Sequence, residues 1–316
     1  MKKILLAGTL AFDEVTTPFG HSGRMMGGSA AYLALAASFF RNHTGIVSVV
    51  GYDFGEELLD KFRRRGVDLS GVQRLEKHKS FYWKGYYYEN MNRRDTLVTE
   101  VNALAYFSPR VPSDFREPDL VVLGNLHPGI QAEILNQFTA TPRLVVLDTM
   151  NFWMDNARDA LMQVIARVDL LMLNEEEARQ LTGEYSLVTA ARLIRNMGPR
   201  YVIIKRGEYG ALLFHDEGFF SAPAMPLEHV WDPTGAGDTF AGGFIGHLSE
   251  YDKPGVEAIK NAMICGANLA SFTVEDFGTK RLENLTKEEI NRRLTDFIRL
   301  TRYGLQEKVL SGKTYE

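Results

Sequence analysis

The chain has 316 residues, 45% of them hydrophobic and 24% charged, with a formal net charge of −4. These values fit a globular protein with a sizeable core, and without a long basic run they argue against a nucleic-acid-binding surface. No stretch approaches the roughly 18–20 uninterrupted apolar residues of a membrane span, and the one cysteine, Cys265, has no partner for an intrachain disulfide.

The first apolar run, Lys3–Ala7, breaks at Gly8-Thr9 and then at Asp13-Glu14. It reads as a buried strand rather than a signal peptide. Further short strands of the fully buried type are predicted at Gly45–Val50, Leu120–Leu123, Leu144–Leu147, Leu170–Leu173 and Tyr201–Lys205. Helices are predicted between them, at Ala30–Phe40, Glu56–Arg65, Ile130–Phe138, Ala157–Ile165, Glu175–Leu181 and Leu187–Met197. This alternation predicts an α/β fold with a mostly parallel sheet flanked by helices, in a single domain over residues 1–316. Ala211–Phe214 and Gly218–Ala222 read as a hairpin, and Val256–Phe272 and Lys287–Tyr303 as helices. One region breaks the pattern. Ser80–Tyr88 and Asp95–Val101 are rich in aromatic and β-branched residues around a polar turn at Asn90–Arg94, an antiparallel hairpin signature.

The stretch Asp232-Pro-Thr-Gly-Ala-Gly-Asp-Thr-Phe240 carries the most chemistry. A glycine turn runs into a helix-like segment in which Phe240, Phe244 and Leu248 recur every four residues. Such a turn leaves unpaired N–H groups at the positive end of a helix dipole, a ready site for phosphate. Asp238 is awkward beside bound phosphate unless it takes a proton from an attacking hydroxyl. The plainer alternative makes Asp238 a helix cap. A dinucleotide fingerprint would need glycine where Phe240 stands. Ser311-Gly312-Lys313-Thr314 is the end of a P-loop without its first glycine, since Glu307 stands there, and reads as a frayed tail.

Together with Gly27-Gly28-Ser29-Ala30-Ala31, the Asp232–Phe244 segment resembles the ribokinase-like (PfkB-type) carbohydrate kinases, departing from that family's signature at Pro233. The resemblance implies a three-layer α/β sandwich with a small β-sheet lid, formed mainly by residues 79–105 and part of 12–24. It also implies ATP and Mg²⁺, and a homodimer through the lid. Gly235, Ala236, Gly237 and Asp238 become the anion hole and base. Asp13, Gly27, Gly28, Ser29 and Tyr32 become the substrate side. The family's namesake has Asn at the position of Tyr32, and a Tyr there removes a bidentate amide and adds bulk, a departure that bears on ribose specificity. On the nucleotide side stand Asn174, Lys205, Gly207, Gly210 and Asn268, with Glu177 holding Mg²⁺ through water. A monovalent cation, K⁺, beside Asp232 is a further expectation. Asp148-Thr149-Met150-Asn151 falls near the phosphates by resemblance, whereas His127 reads as structural.

The function these residues point to is ATP-dependent phosphorylation of a hydroxyl on a sugar or sugar derivative, in a cytoplasmic enzyme. A nucleoside kinase is the nearest alternative, favoured by the bulk of Tyr32 and the lid aromatics. A catalytically silent ligand sensor would be marked by loss of the base or the glycines, and all of them are present.

Overall fold

The computed structural model describes residues 1–302. In chain order it begins with β1 (Lys3–Ala7), β2 (Ala11–Thr17), β3 (Gly20–Gly27), α1 (Ser29–Ala37), β4 (His43–Gly51), α2 (Glu56–Arg63) and β5 (Asp68–Leu75). It continues through β6 (Phe81–Tyr87), β7 (Arg94–Glu100), β8 (Leu120–Leu123), α3 (Pro128–Leu135), β9 (Leu144–Asp148), α4 (Asn151–Asn156) and α5 (Arg158–Ile165). Then come β10 (Leu170–Asn174), α6 (Glu175–Thr182), α7 (Leu187–Arg195), β11 (Tyr201–Lys205), β12 (Ala211–His215) and β13 (Gly218–Ala222). The last helices are α8 (Ala236–Leu248), α9 (Val256–Thr273), α10 (Lys280–Asn284) and α11 (Lys287–Thr301). The tail at Ser311–Thr314 and the end of the predicted Lys287–Tyr303 helix lie outside the described residues.

Nine strands form one sheet in the order β13-β12-β11-β10-β9-β8-β1-β4-β5, parallel from β11 to β5 and antiparallel at β12 and β13. Its register explains why the strands read as unbroken apolar runs. Ile46, Leu6, Val122, Val146, Leu170 and Tyr201 lie side by side across the sheet and all pack into one core. The next row, Val47, Ala7, Leu123, Leu147, Leu171 and Val202, packs into the core on the opposite face. Side chains alternate across a strand, so only a strand covered on both sides needs both rows apolar. Helices α1, α8 and α9 supply Leu33, Phe244 and Met263 to the first core. Helices α3, α5, α6 and α7 supply Ile134, Leu161, Leu181 and Ile194 to the second. Full burial of one such side chain contributes about 1.5–3 kcal/mol.

The second sheet has the order β3-β2-β6-β7 and matches the predicted lid, with the first hairpin running on to Gly27. Strand β7 is exposed along its whole length. Strand β5 has no counterpart in the sequence reading. It sits at the sheet edge, pairs only with β4, and buries Gly71 alone, so it leaves neither an apolar run nor a clean alternation. Among the described residues no helix is long and apolar enough to cross a membrane.

Candidate active site

Parallel strands deliver their last residues to one edge, and the chemistry gathers there. Asp148, Asn174 and Lys205 are the final residues of β9, β10 and β11, and Asn174 lies opposite Lys205 in the ladder. Lys205 Nζ donates to Asp148 Oδ2 at 2.6 Å. Burial works against the Lys205 charge, but Asp148 and Glu177 together raise its pKa.

The anion turn faces this pair. Gly235 is the N-cap of α8 at φ 76°, ψ 0°, in the left-handed region where glycine is favoured. The N–H groups of Gly235, Gly237 and Asp238 have no hydrogen-bond acceptor among the described residues. The Ala236 N–H is different: it donates to Pro233 O at 3.2 Å. Of the four donors expected from the sequence, three are therefore free among the described residues. A Cβ built on Gly237 would stand 3.1 Å from Lys205 Nζ, so the ammonium lies directly beside the turn. Free donors, a lysine and a surface without Cβ suit a phosphate group.

The Asp238 carboxylate forms no hydrogen bond among the described residues, so it does not cap α8. Burial first, then the nearby Asp148, push its pKa up to about 7, while Lys205 and Arg94 oppose the shift. A carboxyl poised there suits proton abstraction near neutral pH. Asp13, on β2, is also pushed up to about 7 by burial, and its Oδ2 accepts from Gly28 N–H at 3.2 Å. A Cβ at Gly27 would overlap that carboxylate. Ser29 pairs with Thr9 in the unliganded protein. Its Oγ accepts from Thr9 N–H at 3.1 Å, and its own N–H donates to Thr9 Oγ1, so it braces the start of α1.

Tyr32 is buried beneath the turn, its ring against the face where Gly235 would carry a side chain. Its hydroxyl has no partner among the described residues. Burial and the negative field of Asp13, Asp232 and Asp238 push the phenol pKa well above its usual range. Asp232 is fully buried and acts as a staple: its two oxygens accept from Thr234 N–H at 2.9 Å and Gly278 N–H at 3.0 Å.

Glu177 and Asn174 form a reciprocal capping box at the start of α6, at 2.7 and 2.8 Å. Burial raises the Glu177 pKa to about 7, opposed by Lys205. Gly207 and Gly210 flank a one-turn 3₁₀ segment after β11, which Arg206 fastens to Glu175 at 2.6 Å. Asn268 lies apart from the acids. It is buried on α9, donates to Ile290 O at 3.0 Å, and keeps an unpartnered Oδ1. His127 caps α3 and meets Trp153 edge to face, as structural residues do. Burial pushes the Cys265 thiol up to about 12, away from the thiolate form.

Arg94 and Tyr87 are the residues that sequence reasoning missed. Tyr87 is buried at the end of β6, and its hydroxyl accepts from Thr234 Oγ1 at 3.2 Å. The Arg94 guanidinium lies 3.5 Å from the same hydroxyl, and its charge lowers the pKa of Asp13, Asp238 and Glu177. Strand alternation singles out Tyr87 from Tyr86 and Tyr88 as inward-facing, but only once the register is known.

Residues 7–285 match the model of the pfkB family of carbohydrate kinases. The chain is 31% identical over 254 residues to a cytidine kinase of Thermococcus kodakarensis, covering 79% of this chain and 89% of that one. It is 27% identical to an aminoimidazole riboside kinase of Salmonella typhimurium over 84% of this chain and 88% of that one. Among solved structures, a nucleoside kinase of Methanocaldococcus jannaschii superposes with a TM-score of 0.74 at 20% identity, covering 94% and 99% of the two chains. A fructokinase of Vibrio cholerae does so with a TM-score of 0.78 at 19% identity, covering 93% and 99%. This chain is a phosphotransferase that belongs to the pfkB carbohydrate kinase family.

Proposed function

We propose that this enzyme transfers a phosphoryl group from ATP to a hydroxyl of a sugar-bearing acceptor, and that its acceptor is a nucleoside. The observation that carries the chemistry is Asp238, a half-buried carboxylate with no hydrogen-bond partner among the described residues, at the mouth of a turn with three free N–H donors. ATP would supply the phosphoryl group and Mg²⁺ the neutralisation of its charge. Asp238 takes the acceptor proton as the new oxygen–phosphorus bond forms and the bond to the departing ADP oxygen breaks. The amides of Gly235, Gly237 and Asp238 hold the equatorial oxygens, and Lys205 and Arg94 offset the gathering negative charge. Glu177 has one carboxylate oxygen committed to Asn174 N–H, which leaves the other to hold metal-bound water. With both Asp232 oxygens already accepting, K⁺ at this loop would rest on backbone carbonyls, and omission of K⁺ from an active assay tests it.

The nucleoside assignment draws on the cytidine and nucleoside kinases among the relatives, and on the bulk of Tyr32 where a sugar-binding amide is expected. A rate panel with ATP and cytidine, inosine, adenosine, ribose and fructose 6-phosphate tests it. The highest kcat/KM is expected with a nucleoside, and a preference for a free sugar overturns the assignment while leaving the kinase intact. The lid exposes Tyr86, Leu97, Val98 and Val101, an apolar set that suits pairing with a second copy. Sedimentation at micromolar concentration is expected to give a dimer.

A further inference from the structure

The lid reaches beyond the acceptor side. Its β6–β7 turn carries Asn92 across the cleft to the loop after β11, where a Cβ built on Gly207 would stand 2.8 Å from Asn92 Oδ1. Gly207 sits at φ +54°, so glycine is favoured there by the backbone. Both partners are firmly mounted. The loop is held by Arg206 to Glu175 at 2.6 Å and by Arg206 N–H to Gly210 O at 2.7 Å. The turn is folded on itself by Asn90 Oδ1, which accepts from the N–H groups of Asn92 and Arg93 at 3.3 and 3.0 Å.

The same sheet touches the site elsewhere. Asp13 is part of it, Tyr87 meets Thr234 of the anion turn, and Met25 Sδ would lie 2.6 Å from a Cβ on Gly278. One sheet thus bears the acceptor carboxylate and also rests on the loop after β11, at the edge where Lys205 meets the anion turn.

We infer that Asn92 is a positioning residue that ties lid closure over the acceptor to occupancy of the Gly207 loop by nucleotide. It rests on the kinase reading above. A ligand that orders the Gly207 loop stabilises the seated turn. By linkage, the closed lid then favours both ligands. Without Asn92 the turn loses its seat on the loop, and closure no longer responds to nucleotide.

Arg93 and Arg94 make the turn a trypsin target, so the lid can be followed without knowing the acceptor. Cleavage at these arginines is measured by mass spectrometry, with and without saturating Mg·AMP-PCP. In the unaltered protein the nucleotide analogue is expected to slow cleavage by about fivefold or more, the usual scale of allosteric coupling. In Asn92→Ala the protection is expected to fall below about twofold, with the thermal midpoint unchanged because the side chain is exposed. Gly207→Ala approaches the contact from the other partner and should also reduce protection. Protection undiminished in Asn92→Ala, or none in the unaltered protein, overturns the inference. An enzyme that phosphorylates no acceptor would instead overturn the kinase reading, so the two failures are distinct.

Discussion

The Tyr32 ring lies flat beneath Gly235, so this buried aromatic supports the glycine turn that opens α8. The ring and the hydroxyl do separate work. The ring fills the space that keeps Gly235 in its left-handed conformation. The hydroxyl is buried amid carboxylates without a partner, a costly arrangement unless a ligand oxygen completes it.

Tyr32→Phe therefore keeps the support and removes the orphaned hydroxyl. The unliganded variant is expected to be more stable by roughly 1–3 kcal/mol in urea denaturation. Its KM for the acceptor is expected to rise. Tyr32→Asn instead leaves a cavity under Gly235 and is expected to lower both stability and kcat. A Phe variant less stable than the parent, with unchanged KM, would show that the hydroxyl has a protein partner.

Asp238→Asn tests the base. The amide has nearly the same shape but cannot accept the proton, so kcat is expected to fall by about 10²- to 10⁴-fold. Binding of AMP-PCP, measured by calorimetry, should persist because the three N–H donors remain. Near-normal kcat would falsify the assignment of Asp238 as base.

Much of this site was legible because its local chemistry repeats a periodic or turn signature. Asp238 stood out as a carboxylate inside a glycine turn that opens a helix, and the buried strands by their apolar runs. Asn174 and Glu177 were legible as a pair, although the structure shows their side chains largely occupied by each other. The misses have a common cause. Arg94 and Asn92 lie in a polar hairpin turn whose composition fits solvent as well as a cleft, and only the docking of the lid decides between them. Ser29 pairs with Thr9, twenty positions away, and no local pattern encodes that contact.

The Lys205–Asp148 pair should be intolerant of losing one member. Their side chains are 18% and 11% exposed, and the contact is 2.6 Å. Lys205→Met leaves Asp148 without its cation beside Glu177 and Asp238. Breaking such a pair commonly costs about 3–5 kcal/mol, and that loss is expected in chemical denaturation. The double variant Lys205→Met with Asp148→Leu is expected to recover much of the stability and none of the activity. Recovery of turnover in the double variant would remove Lys205 from phosphate binding.

Three carboxyls of the site, Asp13, Glu177 and Asp238, are pushed up to about 7 by burial. Two pH effects follow, of opposite sense. Proton abstraction needs Asp238 ionised, so kcat/KM is expected to rise through an acid limb near pH 7; because the groups interact, the apparent midpoint belongs to the set. Stability runs the other way. A carboxyl whose folded pKa is raised favours the fold fully below its unfolded value of 3.8, and that contribution is lost as pH climbs through the folded value of about 7. For Asp13 the shift corresponds to on the order of 4 kcal/mol. Unliganded protein should accordingly lose thermal stability between about pH 4 and 7. Asp13→Asn, which has no charge to bury, should show a flatter profile and exceed the parent at pH 8. A variant whose midpoint tracks the parent across this range would mean that Asp13 is ionised and compensated in the folded protein.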